Sequence, residues 1–98
     1  MPVFKLTLHP TYYKLGFFNV TVAFDGYVSA QEGPVTLVLG DSGQRVEGRI
    51  DRKANPNKTA RIMGGTPLRD WFQANFSVMD AVDVDLGSPG EISLRRGG

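Results

Sequence analysis

Chain-breaking residues recur so often along these 98 residues that no regular element between them can be long. His9-Pro10, Asp25-Gly26, Gly33-Pro34, Gly40-Asp41-Ser42-Gly43, Asn55-Pro56-Asn57, Gly64-Gly65 and Ser88-Pro89-Gly90 each interrupt what precedes them. Proline removes a ladder donor, and glycine or a short polar side chain favours a turn. Most pieces between the breakers read as strands, two of them alternating at period two and others β-branched or aromatic. Val3 to Leu8 sets Phe4, Leu6 and Leu8 against Val3, Lys5 and Thr7, the pattern of a half-buried strand. Phe17 to Ala23, Val35 to Leu39, Gln44 to Ile50 and Thr59 to Met63 read as the next four strands. Ala81 to Leu86 is the sixth, with Val82, Val84 and Leu86 inward and Asp83 and Asp85 outward, and Glu91 to Leu94 is the seventh.

One segment has a helical repeat instead. Thr66 suits an N-cap, Pro67 the first helical position and Asp70 the positive end of the dipole, which predicts a helix over 67–76. Its stripe of Leu68, Trp71, Phe72 and Phe76 belongs to the core, with Phe4, Phe17 or Phe18, Leu37 and Leu39. Tyr27 to Glu32 reads as a short helical turn, and Thr11 to Gly16 as a polar connection. Many short strands with one good helix predict a mostly β domain, a seven-stranded open β-barrel whose helix covers one end. With no repeat, low-complexity stretch or linker, a single domain over 1–98 is expected.

Composition narrows the function classes. The absence of cysteine excludes disulfides, thiolate zinc sites and thiol nucleophiles, and a lone His9 excludes a histidine-rich metal site. No apolar run reaches the roughly 18 to 20 residues a bilayer requires, and no signal-peptide pattern opens the chain, so a cytoplasmic protein without a membrane partner is expected. Formal net charge is only +1. Its distribution is lopsided. From Arg45 to Arg61, the cations Arg45, Arg49, Arg52, Lys53, Lys58 and Arg61 outnumber Glu47 and Asp51, whereas Asp70, Asp80, Asp83, Asp85 and Glu91 face no cation in their own segment.

The basic segment Arg49 to Arg61 is the candidate contact surface. Arg49, Arg52 and Arg61 carry planar forks of donors that bridge the two acceptors of guanine, and Lys53 and Lys58 suit phosphates. Asn55 and Asn57 flank Pro56 and serve either base edges or turn geometry. Tyr12, Tyr13 and Lys14 either pack on sugars and donate to phosphates, or the tyrosines cap the barrel. His9 reads as a strand-end histidine bonded to backbone. The outward run Asp80, Asp83, Asp85 reads as solvated rather than as a metal site, and no cofactor is expected.

The order of these elements resembles the DNA-binding pseudobarrel domains, found as the B-three domain of plant transcription factors and as similar effector domains of bacterial restriction endonucleases. The resemblance runs from Phe4 to Leu86. It is carried by the strand Phe4-Lys5-Leu6-Thr7-Leu8, the connection ending at Gly16 before Phe17-Phe18-Asn19-Val20, and the strand Val35-Thr36-Leu37-Val38-Leu39. The Gly43 turn, the basic segment, Gly64-Gly65 before Trp71-Phe72, and Asp80-Ala81-Val82-Asp83-Val84 complete it. Met79-Asp80 stands where such families place Gly-Asp, and Gly64-Gly65 where the plant domains have Gly-Trp, so the bacterial variety fits better. The resemblance implies two arms that enter the major groove of double-stranded DNA, Thr11 through Asn19 and Arg49 through Arg61. It also implies a small transcription regulator or a restriction-type recognition module, with a nuclease or other effector protein in trans.

Two other classes compete. An enzyme would need paired groups with displaced pKa values or an activated nucleophile, and the chain offers only Glu47 and Asp51 toward a nuclease centre, so no catalysis is expected. The ending Leu94-Arg95-Arg96-Gly97-Gly98 suggests a ubiquitin-like modifier or sulfur carrier, but Asp25 to Pro34 is too short and too rich in breakers for the long helix of that fold.

Overall fold

The computed structural model describes residues 2–88 and 90–96. In chain order the elements are β1 (Val3–Thr7), α1 (Pro10–Leu15), β2 (Phe17–Asn19), a 3-10 helix (Val22–Tyr27), β3 (Gly33–Leu39), β4 (Gln44–Asp51), β5 (Arg61–Met63), α2 (Gly65–Asn75), β6 (Ala81–Ser88) and β7 (Glu91–Arg96). All seven strands join one sheet in the order β1-β6-β7-β3-β4-β5-β2. The sheet curls into an open barrel with β1 and β2 as its edges, a mostly β fold as the short alternating segments predict. Among the described residues, β3 and β7 are the one parallel pair.

Period-two patterning fixes which way each strand faces. In β1, Phe4 and Leu6 are buried while Val3 and Lys5 are exposed, and the register Phe4↔Val84 and Leu6↔Val82 places them beside the buried residues of β6. Leu37 and Leu39 of β3 meet Ile92 and Leu94 of β7 in the same way. A one-residue slip would turn each of these rows outward, so burial locks the register. The β3–β4 hairpin closes through Gly40 and Gly43, both at φ 71, a conformation side chains disfavour. Asp83 and Asp85 face outward as expected, each in an ion pair, with Lys5 at 2.9 Å and Arg95 at 3.4 Å.

Helix α2 covers one end. Leu68 and Phe72 are fully buried and Phe76 nearly so, but Trp71 is only half-buried, its ring edge-on to Phe76 at 5.2 Å. Thr66 is not the N-cap. The helix starts at Gly65 with Gly64 as cap and no side-chain capping bond, because the Gly16 carbonyl accepts both the Gly64 and Gly65 N–H groups at 2.9 and 3.0 Å. That backbone contact satisfies two of the N–H groups that the start of a helix leaves without an intrahelical partner.

Three further differences concern short elements. The stretch read as a polar connection contains α1, which begins on Pro10 and ends in Gly16 at φ 77 with its N–H on the Tyr12 carbonyl. The second strand stops at Asn19 rather than Ala23, and the helical turn lies at Val22–Tyr27 rather than 27–32. Asp25 explains the shift, since its Oδ1 accepts the Ala60 N–H at 2.8 Å and pulls this turn onto the β4–β5 connection. Pro89, Gly97 and Gly98 lie outside the described residues, so the modifier reading of the Gly-Gly ending has no structural description here.

Gly16 allows a close approach of two backbones, where α1 ends against the start of α2. A Cβ there would fall 2.2 Å from the Gly65 carbonyl oxygen and 2.8 Å from the Arg69 nitrogen, in addition to the positive φ. Gly16→Ala is therefore expected to cost about 2–4 kcal/mol, measured by urea unfolding. A loss below about 0.5 kcal/mol would show that α1 and α2 do not meet this way.

Candidate nucleic-acid interface

Strands β4, β5 and β2 bring three of the sequence-predicted residues, Asn19, Arg49 and Arg61, onto one outward face. Cα register runs Phe17↔Met63↔Arg49 in one row and Asn19↔Arg61↔Asp51 in the next. The first row lies toward α1, because Gly16 and Phe17 follow that helix directly. The second lies toward the connection 52–60, which joins β4 to β5. The two segments expected to act as arms thus flank this strip from its opposite ends.

Phe17 shows how the strip is built. It is 8% exposed yet stands outside the core cluster, which Phe18 enters instead. Its cover comes from the outer side. Tyr12 packs edge-on at 5.3 Å, and the Arg61 guanidinium carbon lies 4.5 Å from the ring centroid. Arg61 Nε donates to Asn19 Oδ1 at 3.2 Å and Nη2 to Asn55 Oδ1 at 3.4 Å, while Asn55 Nδ2 donates to Asn19 Oδ1 at 3.0 Å. Asn19 comes from the first arm, Asn55 and Arg61 from the second, so this triad links them.

The connection 52–60 is folded around Arg52. Its Nη1 donates to both carboxylate oxygens of Asp25 at 3.1 and 2.9 Å and to the Lys58 carbonyl at 3.1 Å. Nε reaches the Ser29 carbonyl at 2.9 Å and Nη2 the Val28 carbonyl at 3.2 Å. With its side chain 15% exposed, Arg52 holds the arm together and has no free fork to offer a base. Asp51 caps the start of the arm, its Oδ1 accepting the N–H groups of Lys53 at 2.8 Å and Ala54 at 3.2 Å. The Lys53 N–H, with smaller help from the Ala54 N–H and the Arg61 charge, holds the Asp51 carboxyl below its ordinary 3.8.

The asparagines shape the turn. Asn57 Oδ1 accepts the Thr59 N–H at 3.2 Å and hydroxyl at 2.8 Å, and the Asn55 carbonyl accepts the Lys58 N–H at 2.9 Å. This turn sets Lys58 at φ 63 and leaves its side chain exposed.

On α1 the tyrosines pack inward. Tyr12 and Tyr13 lie against the core cluster, and the Tyr13 hydroxyl donates to the Phe76 carbonyl at 3.3 Å. Lys14 is exposed. His9 is exposed with its ring edge-on to Tyr12 at 5.7 Å, and its backbone N–H donates to the Thr7 carbonyl at 2.9 Å.

The cations therefore divide into two groups. Arg52 and, at 3.8 Å, Lys53 meet the carboxylates of Asp25 and Glu32. Among the described residues, Lys14 on α1, Arg49 on β4 and Lys58 in the 52–60 connection have exposed side chains with no hydrogen bond or ion pair. Sequence reasoning missed Asp25 and Glu32, which lie more than 18 residues upstream of the cations they neutralise. No spacing signal links them. Among the described residues, no group of three or more His, Asp or Glu side chains is placed to hold a metal ion.

Comparison with known proteins finds no family model that matches the chain and no curated protein that matches it.

Proposed function

We propose that this domain binds double-stranded DNA with a preference for sequence, laying the β2–β5–β4 strip toward the major groove while α1 and the 52–60 connection reach along its walls. The observation that carries this reading is the set of exposed, internally unpartnered cations, Lys14 on α1, Arg49 on β4 and Lys58 in the 52–60 connection, together with an Arg61 guanidinium held by groups from both arms. A polyanion supplies the charge these side chains lack within the fold.

On the β1–β6–β7 side Asp83 pairs with Lys5 and Asp85 with Arg95, while Arg96 donates to the Asn75 carbonyl and lies over the Phe76 ring, so these cations are already engaged within the fold. The resemblance to pseudobarrel domains supports the same reading and adds its context, a small regulator or the recognition module for a nuclease or other effector supplied in trans.

The test is the affinity of the full chain for a 20-base-pair duplex as a function of salt, read by fluorescence anisotropy. A steep linear fall of log affinity with log salt is expected. Absence of binding at low salt, or binding indifferent to salt, would contradict the proposal. Removing Gly97 and Gly98 is expected to leave that binding intact, whereas a modifier would lose its function.

A further inference from the structure

The cross-arm triad assigns different jobs to residues that look alike in sequence. Arg61 is the one arginine of the basic segment whose fork is both oriented and open. Its Nε and one Nη2 proton are engaged by Asn19 and Asn55, and its flat face rests on Phe17. Among the described residues Nη1 makes no hydrogen bond, so both Nη1 protons and the second Nη2 proton remain available. Arg52 has no such edge. Arg49 has no partner to orient it.

An arginine fixed on one edge, packed on an aromatic face and free on its other edge is arranged for the paired acceptors of guanine, O6 and N7, rather than for a phosphate, which a mobile cation serves as well. Resting on the DNA-binding reading above, we propose that Arg61 reads a guanine in the target site through its Nη1–Nη2 edge, and that Asn19 is the positioning residue that sets its aim. Asn19 acts through Oδ1 alone, accepting from Arg61 Nε and from Asn55 Nδ2. Its contribution is the position of an acceptor. The base preference of the second arm is thereby governed by a residue of the first.

This separates preference from affinity. Asn19→Leu keeps the volume and removes the acceptor, so the guanidinium loses its aim while the surrounding charge is unchanged. Asn19→Asp keeps acceptors for both bonds but adds a negative charge at the DNA face, so aim survives and overall affinity falls. Arg61→Met keeps an unbranched stem over Phe17 and removes every donor.

The experiment begins by selecting bound duplexes from a random library with the unmodified chain. Each guanine of the selected duplex is then replaced in turn by 7-deazaguanine, which lacks the N7 acceptor. At one guanine the unmodified chain is expected to lose at least about tenfold in affinity. Asn19→Asp should show the same loss on a weaker baseline. Arg61→Met and Asn19→Leu should show none there, while retaining most of the salt dependence of nonspecific binding. Thermal unfolding of each variant accompanies the titration, and if Asn19→Leu does not fold, Asn19→Asp and Arg61→Met decide the matter. Salt-dependent binding with no guanine sensitive to N7 removal, or a sensitivity that Arg61→Met retains, would overturn the assignment and leave the DNA-binding reading standing. Failure of the unmodified chain to bind any duplex would remove both.

Discussion

Replacing Arg52 by methionine is expected to unfold the 52–60 connection locally and to cost the domain about 2–3 kcal/mol. The guanidinium is the common partner of Asp25, Val28, Ser29 and Lys58, so it ties the 3-10 helix region to both halves of the arm. Methionine fills much of the space and offers none of the donors. Asp25 would then keep its bond from the Ala60 N–H at 2.8 Å while losing its counter-charge. A fully buried pair broken on one side loses about 3–5 kcal/mol, but Arg52 and Asp25 are 15% and 25% exposed, and solvent screening lowers the figure. Urea unfolding measures the loss. Amide hydrogen exchange places it, with faster exchange expected at Lys58 and Ala60 and little change in β1 and β6. A change below about 0.5 kcal/mol would show Arg52 to be an ordinary surface cation.

The second large effect is on binding. Lys14→Ala, Arg49→Ala and Lys58→Ala combined should weaken duplex binding on every sequence and reduce the salt slope by about one unit for each phosphate contact removed. These side chains are exposed and have no internal partner among the described residues, so stability should hold within about 0.5 kcal/mol. Lys53→Ala should do less, because Glu32 stands 3.8 Å from its ammonium in the free protein and part of its charge is already balanced. Anisotropy titrations at several salt concentrations separate the two. Losses confined to one sequence would transfer base reading to these residues and contradict their assigned role.

The parts of this fold legible in sequence are those where a side chain's own character decides its side of the sheet. Phe4 and Leu6 against Lys5, and Val82 and Val84 against Asp83, announce both strand and face, and the structure agrees. The parts that were not legible depend on partners distant in the chain. Helix α1 buries none of its residues fully and leaves no apolar stripe to find. It is held in place by contacts such as Gln73 Nε2 to the Tyr13 carbonyl at 3.1 Å and the Gly16 carbonyl on Gly64 and Gly65. The end of β2 is similar. Val20 to Ala23 has strand composition, but Asp25 draws the chain onto Ala60 and Arg52 and coils it instead.

The candidate site divides in the same manner. Sequence marks the arm as basic and places Asn19 and Arg61 among its candidates. It does not distinguish Arg52 from Arg49 or Arg61, because the difference lies in the carbonyls of Val28 and Ser29 and the carboxylate of Asp25. Phe17 and Phe18 are also alike in sequence. The strand register alone sends Phe18 into the core and Phe17 outward, under Tyr12 and Arg61.

The most direct test of the central claim, that one face of this barrel receives a DNA duplex between two arms, is a residue-resolved NMR titration of the full chain with a 20-base-pair duplex at low salt. The expected result is shift change concentrated at Lys14, Asn19, Arg49, Lys58 and Arg61, fading as salt is raised, with Asp83 and Asp85 undisturbed. Shift changes centred on β1, β6 and β7, or none at all at protein concentrations well above micromolar, would contradict it.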